Sequence, residues 1–423
     1  MSIPRFLRSA FAGYEIFEIK ECLSEQRICL WVKAEENKEA LCHRCRSPIH
    51  CDGKYLQKIQ CMPVMGLRVE VTLTRRRGYC KGCKKSRAEL VEWLSEETPH
   101  LSDDYAHWLG KLAEFAPISR AAKLMGLDSM TLWRVDFEQM KRRLQNYKIP
   151  SVTHLSVDEV YVVRRQRGVP LPREKRFFTI VSDLKTKKVI WVSEGRSKAA
   201  LDQFYILIGK EACKKIQAVA MDQFDGYSSS TAEHCPRATI VWDRFHLMQN
   251  LGEIINETRL QLHSEFASGS PLHRLTRGKY KYIYLKKASR RTQHEKRLIE
   301  DVTAENEYFL RLELIKERMF QFFNAATEEE AKHIFDEVGE WIYRSGFTRL
   351  MDWHNRLERS WSTLKNYFRH RITSATSEGI NNVIKALIRR AYGYRNMHYF
   401  KLKIMQVCGY LNSQFCPLMK STT

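Results

Sequence analysis

The chain has 423 residues, 71 of them Lys or Arg and 49 Asp or Glu, so its formal net charge is +22. Its 43% hydrophobic and 28% charged residues are typical of a globular protein, long enough for about two to four domains. The charge favours nucleic acid as a partner over an anionic membrane surface, and no run of roughly 20 apolar residues indicates a transmembrane helix. The N-terminus lacks the pattern of a signal peptide, so we expect a cytoplasmic protein without a membrane partner.

Cysteines are crowded into the first part of the chain, where eight of the 12 lie between Cys22 and Cys83. Such crowding indicates a metal site in a reducing compartment rather than a disulfide framework. Two CxxC pairs can supply the four soft ligands of a tetrahedral zinc site, and alternation over residues 66–74 predicts a strand that returns the second pair to the first. We predict a zinc ribbon and a β-hairpin (residues 14–36) within residues 1–92, with structural Zn²⁺ bound by Cys42, Cys45, Cys80 and Cys83.

This prediction has alternatives. Cys51 and Cys61 are substitute ligands, and buried or redox-active cysteines are a different explanation of the same pattern. Three consecutive cations precede the second CxxC pair: Arg75, Arg76 and Arg77. They predict a surface that contacts DNA phosphates, with a solvated charged turn as the alternative.

The periodicity becomes helical in residues 93–148. Apolar residues at spacings of three and four predict a helix over 101–115, which ends before Pro117. A short helix closed by Gly126 follows, and then a longer basic helix over 130–144, capped by Asp128 or by its neighbour Ser129. Two helices joined by such a turn fit a helix-turn-helix, although three-helix clusters also occur without DNA. The expected DNA contacts are Ser129, Thr131 and Arg134.

Strand-like segments dominate after Pro150. Residues 152–163, 176–184 and 188–193 predict three strands, rich in β-branched and aromatic residues. A helix over 197–208, a strand over 216–221, another helix and a strand over 238–242 follow. This order fits an RNase H-like mixed sheet.

Acidic residues lie in or next to the predicted strands, at positions suited to an active site on this sheet. Asp158 lies in the first of these strands, Asp222 closes the fourth, and Glu378 opens a later helix. Carboxylates beside apolar strand residues are costly to desolvate unless they bind something, and a divalent metal is a common partner. Three carboxylates can hold the two Mg²⁺ ions of a phosphoryl-transfer site about 3.5 to 4 Å apart. Cations that follow in the Glu378 helix would face the phosphates: Lys385, Arg389 and Arg390.

Each acid also has a structural explanation. Asp158 and Asp222 would serve as strand-end caps or turn formers, and Glu378 as a first-turn partner of the helix dipole. Glu159 and Asp225 neighbour the assigned acids and are rival ligands.

The segment between Asp222 and Glu378 is too long for a connection in the bare fold. We predict an α-helical insertion domain over residues 263–346. Its basic part, which includes Lys279 and Lys281, is interleaved with tyrosines, so it predicts a path for a DNA strand. A solvated face over a tyrosine-rich core is the alternative.

From Cys42 to about Leu402, the chain resembles the DDE transposases of bacterial insertion sequences, specifically the ISL3 family. Besides the CxxC pairs, the matching segments in family order are Val157-Asp158-Glu159, Met221-Asp222 followed by Tyr227, Asp243-Arg244-Phe245-His246, and Glu378-Gly379-Ile380-Asn381-Asn382 with Lys385 and residues 391–396. The resemblance implies a catalytic triad of Asp158, Asp222 and Glu378 that binds Mg²⁺ or Mn²⁺. It also implies that Asp243 and His246 form the supporting Asp-x-x-His signature of transposases with an inserted helical domain.

The expected protein is thus a multidomain α/β transposase. A zinc ribbon and a helix-turn-helix precede an RNase H-like core that the helical insertion interrupts. The first part of the core is residues 149–262, and residues 347–423 are its second part with a C-terminal tail. It would bind the terminal inverted repeats of its insertion sequence, hydrolyse DNA at the element ends and join the 3′ hydroxyls to target DNA. Its partners would be double-stranded DNA at the bacterial nucleoid and at least one further copy of itself.

Other functions fit part of the pattern. A catalytically inert DNA-binding regulator would account for the zinc and the charge, and a structure-specific nuclease or resolvase would share the catalytic fold. A ribosomal or RNA-binding role explains the charge and the zinc without the carboxylates. Strand joining and end-sequence preference distinguish transposition from these functions.

Overall fold

The computed structural model describes residues 10–162, 176–372 and 375–412. The chain forms two compact units, one of Met1–Lys148 with Arg390–Thr423 and one of Ile149–Arg389. We call them unit 1 and unit 2. Both contain a β-sheet and helices, so the protein is mixed α/β, as the sequence predicts. Across the described residues, no helix has the length and apolar character needed to span a membrane.

Unit 1 begins with a five-stranded sheet in the order β1-β2-β4-β3, with β5 on the second part of β4. Strand β2 runs parallel to β4, and the other pairs are antiparallel. The β3–β4 hairpin turns at Met65 and Gly66, which both have positive φ, as a tight two-residue hairpin turn requires. The strands are β1 Tyr14–Cys22, β2 Arg27–Ala34, β3 Ile49–Val64, β4 Leu67–Cys80 and β5 Lys85–Ala88, with a short 3₁₀ helix at Leu23–Glu25.

Three helices follow the sheet, namely α1 Asp103–Phe115, α2 Ile118–Met125 and α3 Ser129–Gln145. Helix α2 ends at Gly126, whose φ of +63° is easily adopted by glycine. The Asp128 carboxylate caps α3 by accepting from the backbone N–H groups of Met130 and Thr131. The boundaries lie close to those that the helical periodicity predicts.

Unit 2 is built on a second five-stranded sheet in the order β10-β9-β6-β7-β8. Strands β6, β7 and β8 are antiparallel neighbours, whereas β9 runs parallel to β6 and to β10. The strands are β6 His154–Tyr161, β7 Phe177–Asp183, β8 Lys188–Glu194, β9 Ala218–Met221 and β10 Thr239–Trp242. Between β8 and β10 lie α4 Lys198–Ile208, α5 Lys210–Cys213 and α6 Asp225–His234.

The rest of unit 2 is helical. Its core of buried aromatic and aliphatic side chains includes Phe309, Phe322, Phe335 and Trp353. The helices are α7 Arg244–Glu265, α8 Pro271–Leu275, α9 Lys281–Leu285, α10 Gln293–Glu305, α11 Glu307–Phe322, α12 Glu328–Ser345, α13 Thr348–Arg359, α14 Trp361–Leu364, α15 Asn366–His370 and α16 Ala375–Arg390, with 3₁₀ turns at Gly278–Tyr280 and Ala288–Arg290.

The last described helix, α17 (Met397–Val407), packs against α3 in unit 1. There Lys403 Nζ and the Tyr399 hydroxyl donate to the buried Asp136 carboxylate at 2.8 and 2.6 Å, and Gln406 Nε2 donates at 3.1 Å. Burial lowers the pKa of Lys403. A carboxylate of α3 thus holds α17, which lies in the segment predicted as the second part of the core with a C-terminal tail, in unit 1.

Candidate functional site

The four predicted zinc ligands lie together in unit 1. The Sγ atoms of Cys42, Cys45, Cys80 and Cys83 are all within 4.8 Å of one another. The Cys42–Cys83 sulfur distance is 3.8 Å and the Cys45–Cys80 distance is 3.4 Å. Four Zn–S bonds of about 2.3 Å at tetrahedral angles place sulfurs about 3.8 Å apart, so the cluster fits zinc. The β3–β4 hairpin creates this proximity, since Ile49 at the start of β3 pairs with Cys80 at the end of β4.

The three arginines before the second CxxC pair differ in their surroundings. The Arg75 guanidinium is buried and donates to the Glu89 carbonyl and to Gln57 Oε1. Arg76 pairs with the buried Glu89 carboxylate at 2.7 Å, whereas Arg77 is exposed. The structure thus corrects the expectation that all three contact DNA, because two of them hold the sheet to the Glu89 segment.

The predicted contacts of the helix-turn-helix lie at the start of α3. Ser129 and Arg134 are exposed and Thr131 is half-buried. These positions leave the first turns of α3 accessible, while Leu132 and Val135 pack inward against α1 and α2.

Three aspartates lie at one edge of the unit 2 sheet. Strand β6 pairs with β9 so that Ser156 is opposite Ala220, and two further residues along each strand bring Asp158 level with Asp222. Strand β10 pairs with β9 at Trp242 and Met221, and the next residues are Asp243 and Asp222. Because these strands are parallel neighbours, Asp222 and Asp243 directly follow the carboxyl ends of β9 and β10, and Asp158 lies within β6 at the same level.

Asp158 is 7% exposed and has several polar neighbours. Its Oδ2 accepts from Asn381 Nδ2 at 2.8 Å, and its Oδ1 accepts from the Glu159 backbone N–H at 2.7 Å. His246 Nε2 lies 3.8 Å from Asp158 Oδ1 and 3.7 Å from Asp243 Oδ2. The interaction with Asp158 raises the pKa of His246 to about 9, with Asp243 contributing less. The Asp-x-x-His pair that the resemblance implies thus meets the first of the predicted catalytic acids.

Arg196 joins two other acids of this edge. Its Nη2 lies 2.7 Å from Asp222 Oδ2 and its Nη1 lies 3.1 Å from Glu159 Oε1. Burial, followed by the charge of Asp222, raises the pKa of Glu159 to about 7, and Arg196 opposes the shift. Burial likewise raises the pKa of Asp222. Of the two rival ligands, Glu159 therefore belongs to this cluster, whereas Asp225 is exposed at the start of α6.

Glu378 is carried to this region by α16. Ser377, the residue before it, shares a 2.6 Å hydrogen bond with Ser156 of β6, and Asn381 lies one turn further along the helix. Glu378 itself is exposed and lines a cavity of about 770 Å³. Among the described residues, the cysteine cluster is the only group of three or more potential metal ligands whose ligand atoms all lie within 4.8 Å of one another. The carboxylates of Asp158, Asp222 and Glu378 therefore do not all lie within this distance of one another.

The surroundings of Asp158 fit a hard divalent cation. Among the side-chain oxygens that are buried without a hydrogen-bond partner in the described part of the chain, three lie at this edge: Glu159 Oε2, Asp243 Oδ2 and Asn381 Oδ1. A buried acceptor without a donor is unfavourable, and carboxylate and amide oxygens are the ligands that Mg²⁺ and Mn²⁺ take. The donor set at this edge therefore suits such an ion.

The remaining predicted cations lie at separate places. Lys385 and Arg389 are exposed one turn apart on α16. Arg390 is exposed in unit 1, where it donates to the Phe115 carbonyl at 2.9 Å. Lys281 is half-buried at the start of α9, and the side chain of Lys279 lies outside the described part of the chain.

Two residues of this site have roles that the sequence alone does not reveal. Arg196 follows Gly195 at the end of β8, and no motif distinguishes it from other surface arginines. Asn381 stands in the motif that begins at Glu378, but its role as the hydrogen-bond donor to Asp158 depends on the packing of α16 against β6. The sequence offers one indication of this role: Asn381 lies three residues after Glu378, about one helical turn, so both side chains lie on the same face of the helix.

The chain is similar to known proteins over most of its length. A family model described as Transposase, for the ISL3 type of DDE transposase, matches residues 155–404, more than half of the chain. The transposase for insertion sequence element IS1001 of Bordetella parapertussis is 24% identical over 371 residues, covering 87% of this chain and 88% of that protein. The transposase for insertion sequence element IS1557 of Mycobacterium tuberculosis is 23% identical over 332 residues, covering 72% and 71%.

Proposed function

The chain belongs to the ISL3 family of DDE transposases, and from this membership we propose that it performs both chemical steps in moving its own insertion sequence. In the first step, water attacks the phosphodiester at each element end and releases a 3′ hydroxyl. In the second, that hydroxyl attacks a phosphodiester of the target DNA. Both are in-line displacements at phosphorus, so one site serves both, and no covalent enzyme intermediate is needed.

We propose Asp158, Asp222 and Glu378 as the catalytic triad. The observation that carries this proposal is the register of the parallel strands, which brings Asp158 level with Asp222. A second support is α16, which carries Glu378 and is hydrogen-bonded to the strand of Asp158. The triad would hold Mg²⁺ or Mn²⁺, which when bound activates the attacking oxygen and stabilises the leaving one.

The surrounding residues have distinct proposed tasks. Asn381 orients Asp158 by donating to one carboxylate oxygen, which leaves the other lone pairs of the carboxylate available. His246, protonated at neutral pH in the metal-free state, balances the charge of Asp158 and Asp243. Lys385 and Arg389, on the exposed face of the Glu378 helix, are placed to meet DNA phosphates.

DNA ends would be recognised by unit 1. We propose that residues 1–92 form a zinc ribbon and residues 93–148 a helix-turn-helix, whose α3 presents Ser129, Thr131 and Arg134 to DNA. The cysteine cluster supports the first assignment, and the Gly126 turn with the Asp128 cap supports the second. Arg77 remains the proposed phosphate contact of the ribbon because it is exposed.

We further propose that unit 2 has an RNase H-like core interrupted by the helical insertion of residues 263–346. The strand order β10-β9-β6-β7-β8, with three antiparallel and two parallel strands, supports this assignment. Synapsis of two element ends requires at least a dimer at work. The proposed location is the bacterial cytoplasm, on the DNA of the nucleoid.

Cleavage of the flanking DNA tests the proposal. Purified protein is incubated with DNA that carries the sequences on either side of its gene, with Mg²⁺ or with EDTA. We expect metal-dependent nicks at the element boundary, absent in Asp158→Asn, Asp222→Asn and Glu378→Gln, each of which still binds the ends. The matched control is Asp225→Asn, an exposed acid three residues from Asp222, which should cleave normally.

Each other outcome has a defined meaning. Cleavage retained in a triad variant would refute that residue's assignment. Tight boundary binding without cleavage in Mg²⁺ or Mn²⁺ would favour the inert regulator. Cleavage without end preference or strand joining would favour the structure-specific nuclease.

A further inference from the structure

The turn of the β3–β4 hairpin exposes an apolar side chain. Met65 is 98% exposed, and its φ of +50° is one that residues other than glycine rarely adopt. Gly66 follows with a φ of +82°. Asn-Gly and Asp-Gly are the preferred sequences of such a turn, because Asn and Asp tolerate positive φ and are well solvated. Neither the geometry of the turn nor packing therefore accounts for a methionine at this position.

The end of the hairpin is fixed to the three helices that follow the sheet. The Gln60 backbone N–H of β3 donates to the His100 carbonyl at 2.9 Å, and the Gln60 carbonyl accepts from the Ser102 N–H at 3.0 Å. Met62 packs against the apolar core that α1, α2 and α3 share. These contacts hold the exposed turn in a defined position relative to the helices.

An exposed cation lies between the hairpin and the turn that joins α2 to α3. A Cβ built on Gly126 would lie 2.5 Å from Arg68 Nη2, so the Arg68 guanidinium fills the space beside this glycine. Arg27, which is opposite Arg68 in the neighbouring strand, pairs with Glu25 at 2.7 Å. Arg68 itself is exposed and has no acidic partner within the described residues. Its charge is therefore available to a polyanion at this place.

We propose that the β3–β4 hairpin enters the minor groove of DNA, next to the major groove that α3 occupies. Met65 would act as an apolar wedge between base steps, and Arg68 would lie in the groove beside it. Inserted apolar side chains, methionine among them, unstack base steps and bend the duplex, and a narrow minor groove attracts arginine. The inference rests on the proposed function, because it takes α3 as a DNA-binding helix.

DNA bending tests this proposal without cleavage. The full-length protein, purified with zinc, is bound in the absence of Mg²⁺ to two duplexes of equal length, each with a donor and an acceptor dye at its ends. One duplex carries the element boundary and the other is an unrelated A·T-rich sequence. We expect the wild type to shorten the distance between the dyes on both duplexes. Netropsin, which occupies the minor groove of A·T-rich DNA, should abolish the bend on the second duplex.

Variants of the turn separate its DNA contact from its structural role. Met65→Asn suits the turn, so it should keep the wild-type melting temperature while it loses the bend and binds DNA about tenfold more weakly. Met65→Leu keeps an apolar wedge and should still bend DNA. Arg68→Gln, a second variant of the same surface, should weaken binding about fivefold. The control is Ile206→Asn, which changes a 70% exposed apolar residue of α4 and should behave as the wild type does.

The other results of this experiment would overturn the proposal. They are an unbent duplex in the wild-type complex, a wild-type bend in Met65→Asn, and a bend that netropsin leaves unchanged. Unchanged bending with a loss of self-association in Met65→Asn, measured by light scattering, would assign the turn to a contact between two copies of the chain. The A·T-rich duplex is bound through the net charge of the protein, so the hairpin is tested even if the element boundary is not recognised. Failure of the proposed function and failure of this inference are therefore separate results.

Discussion

The side-chain amide of Asn381 donates a 2.8 Å hydrogen bond to Oδ2 of Asp158, although 223 positions separate the two residues in the chain. This bond links the helix of the third proposed acid to the strand of the first. It also limits the rotation of the Asp158 carboxylate. A group that orients a metal-binding carboxylate in this way affects the reaction without touching the substrate.

Replacement of Asn381 by Ala should therefore slow DNA cleavage by about 10- to 100-fold while leaving DNA binding unchanged. The measurement is the single-turnover cleavage rate over a series of Mg²⁺ concentrations, where the variant should need more metal for half-maximal rate. Asn382→Ala, which changes an exposed neighbour, is the control. A wild-type rate and metal dependence in Asn381→Ala would contradict the role assigned to this bond.

Arg196→Ala should destabilise the metal-free protein and increase the stabilising effect of metal. Loss of the guanidinium leaves Asp222 and Glu159 without their cation, at a cost of about 1 to 3 kcal/mol in the free energy of unfolding. Added Mg²⁺ should then raise the melting temperature more in the variant than in the wild type. Arg237→Ala, an exposed arginine outside this cluster, should respond to Mg²⁺ as the wild type does. Equal Mg²⁺ shifts in Arg196→Ala and wild type would refute this explanation.

The raised pKa of Glu159 predicts that the free energy of unfolding depends on pH. Its pKa in the folded state is raised from 4.5 to about 7, so the folded protein holds this proton more tightly than the unfolded chain. The resulting stabilisation is complete below pH 4.5 and is lost as the pH rises through 7, by an amount on the order of 2 kcal/mol. In metal-free urea denaturation between pH 5 and 8, Glu159→Gln should lose less stability than the wild type. Parallel profiles would show that Glu159 has no such shift.

Zinc removal should unfold part of unit 1 and abolish recognition of DNA ends. Structural zinc contributes about 10 to 16 kcal/mol of binding free energy in small zinc domains. The fold around the two CxxC pairs should therefore be strongly stabilised by zinc. We expect one zinc per chain, lost in Cys42→Ser together with end binding. Cys51→Ser, in an exposed cysteine outside the cluster, should keep both. End binding that persists in zinc-free protein would separate the cluster from DNA recognition.

Removal of one partner of the buried ion pair between Asp136 and Lys403 should lower the free energy of unfolding. Lys403→Ala leaves the Asp136 carboxylate buried with no cation, and we expect a loss of about 3 to 5 kcal/mol in unfolding free energy. The double variant Asp136→Asn with Lys403→Met removes both charges and should recover part of that loss. Urea denaturation of the single and double variants measures the difference. A double variant as unstable as Lys403→Ala would indicate that packing, rather than the unpaired charge, dominates.

Much of unit 2 is predictable because its signals are local. The strand-like segments locate β6, β7 and β9 to within about two residues, and they place Asp158 within a strand and Asp222 at the end of one. The two CxxC pairs likewise predict the cysteine cluster, since the strand alternation between them indicates a hairpin that brings the pairs together. These features depend on residues that are close in sequence or on the regular geometry of strands.

The remaining features depend on contacts between distant segments. A basic triplet does not reveal that Arg75 and Arg76 are held by Glu89, nor does an amphipathic pattern reveal that Lys403 meets Asp136. Arg196 is another example, because its acids lie on two different strands. Long-range ion pairs of this kind leave no periodicity in the sequence, so sequence patterns reveal neither the surroundings of Arg75 and Arg76 nor the packing of α17 in unit 1.

The parallel strands that carry Asp158, Asp222 and Asp243 have a consequence for how such an enzyme diversifies. Their register fixes the spacing of three acids before the chain enters the long run of helices from α7 onward, and α16 completes the edge after that run. Mutations confined to the exposed faces of the intervening helices therefore alter no residue of these strand pairings. Related chains can therefore differ in their DNA-binding surfaces and target-site preferences while they keep the same acidic edge.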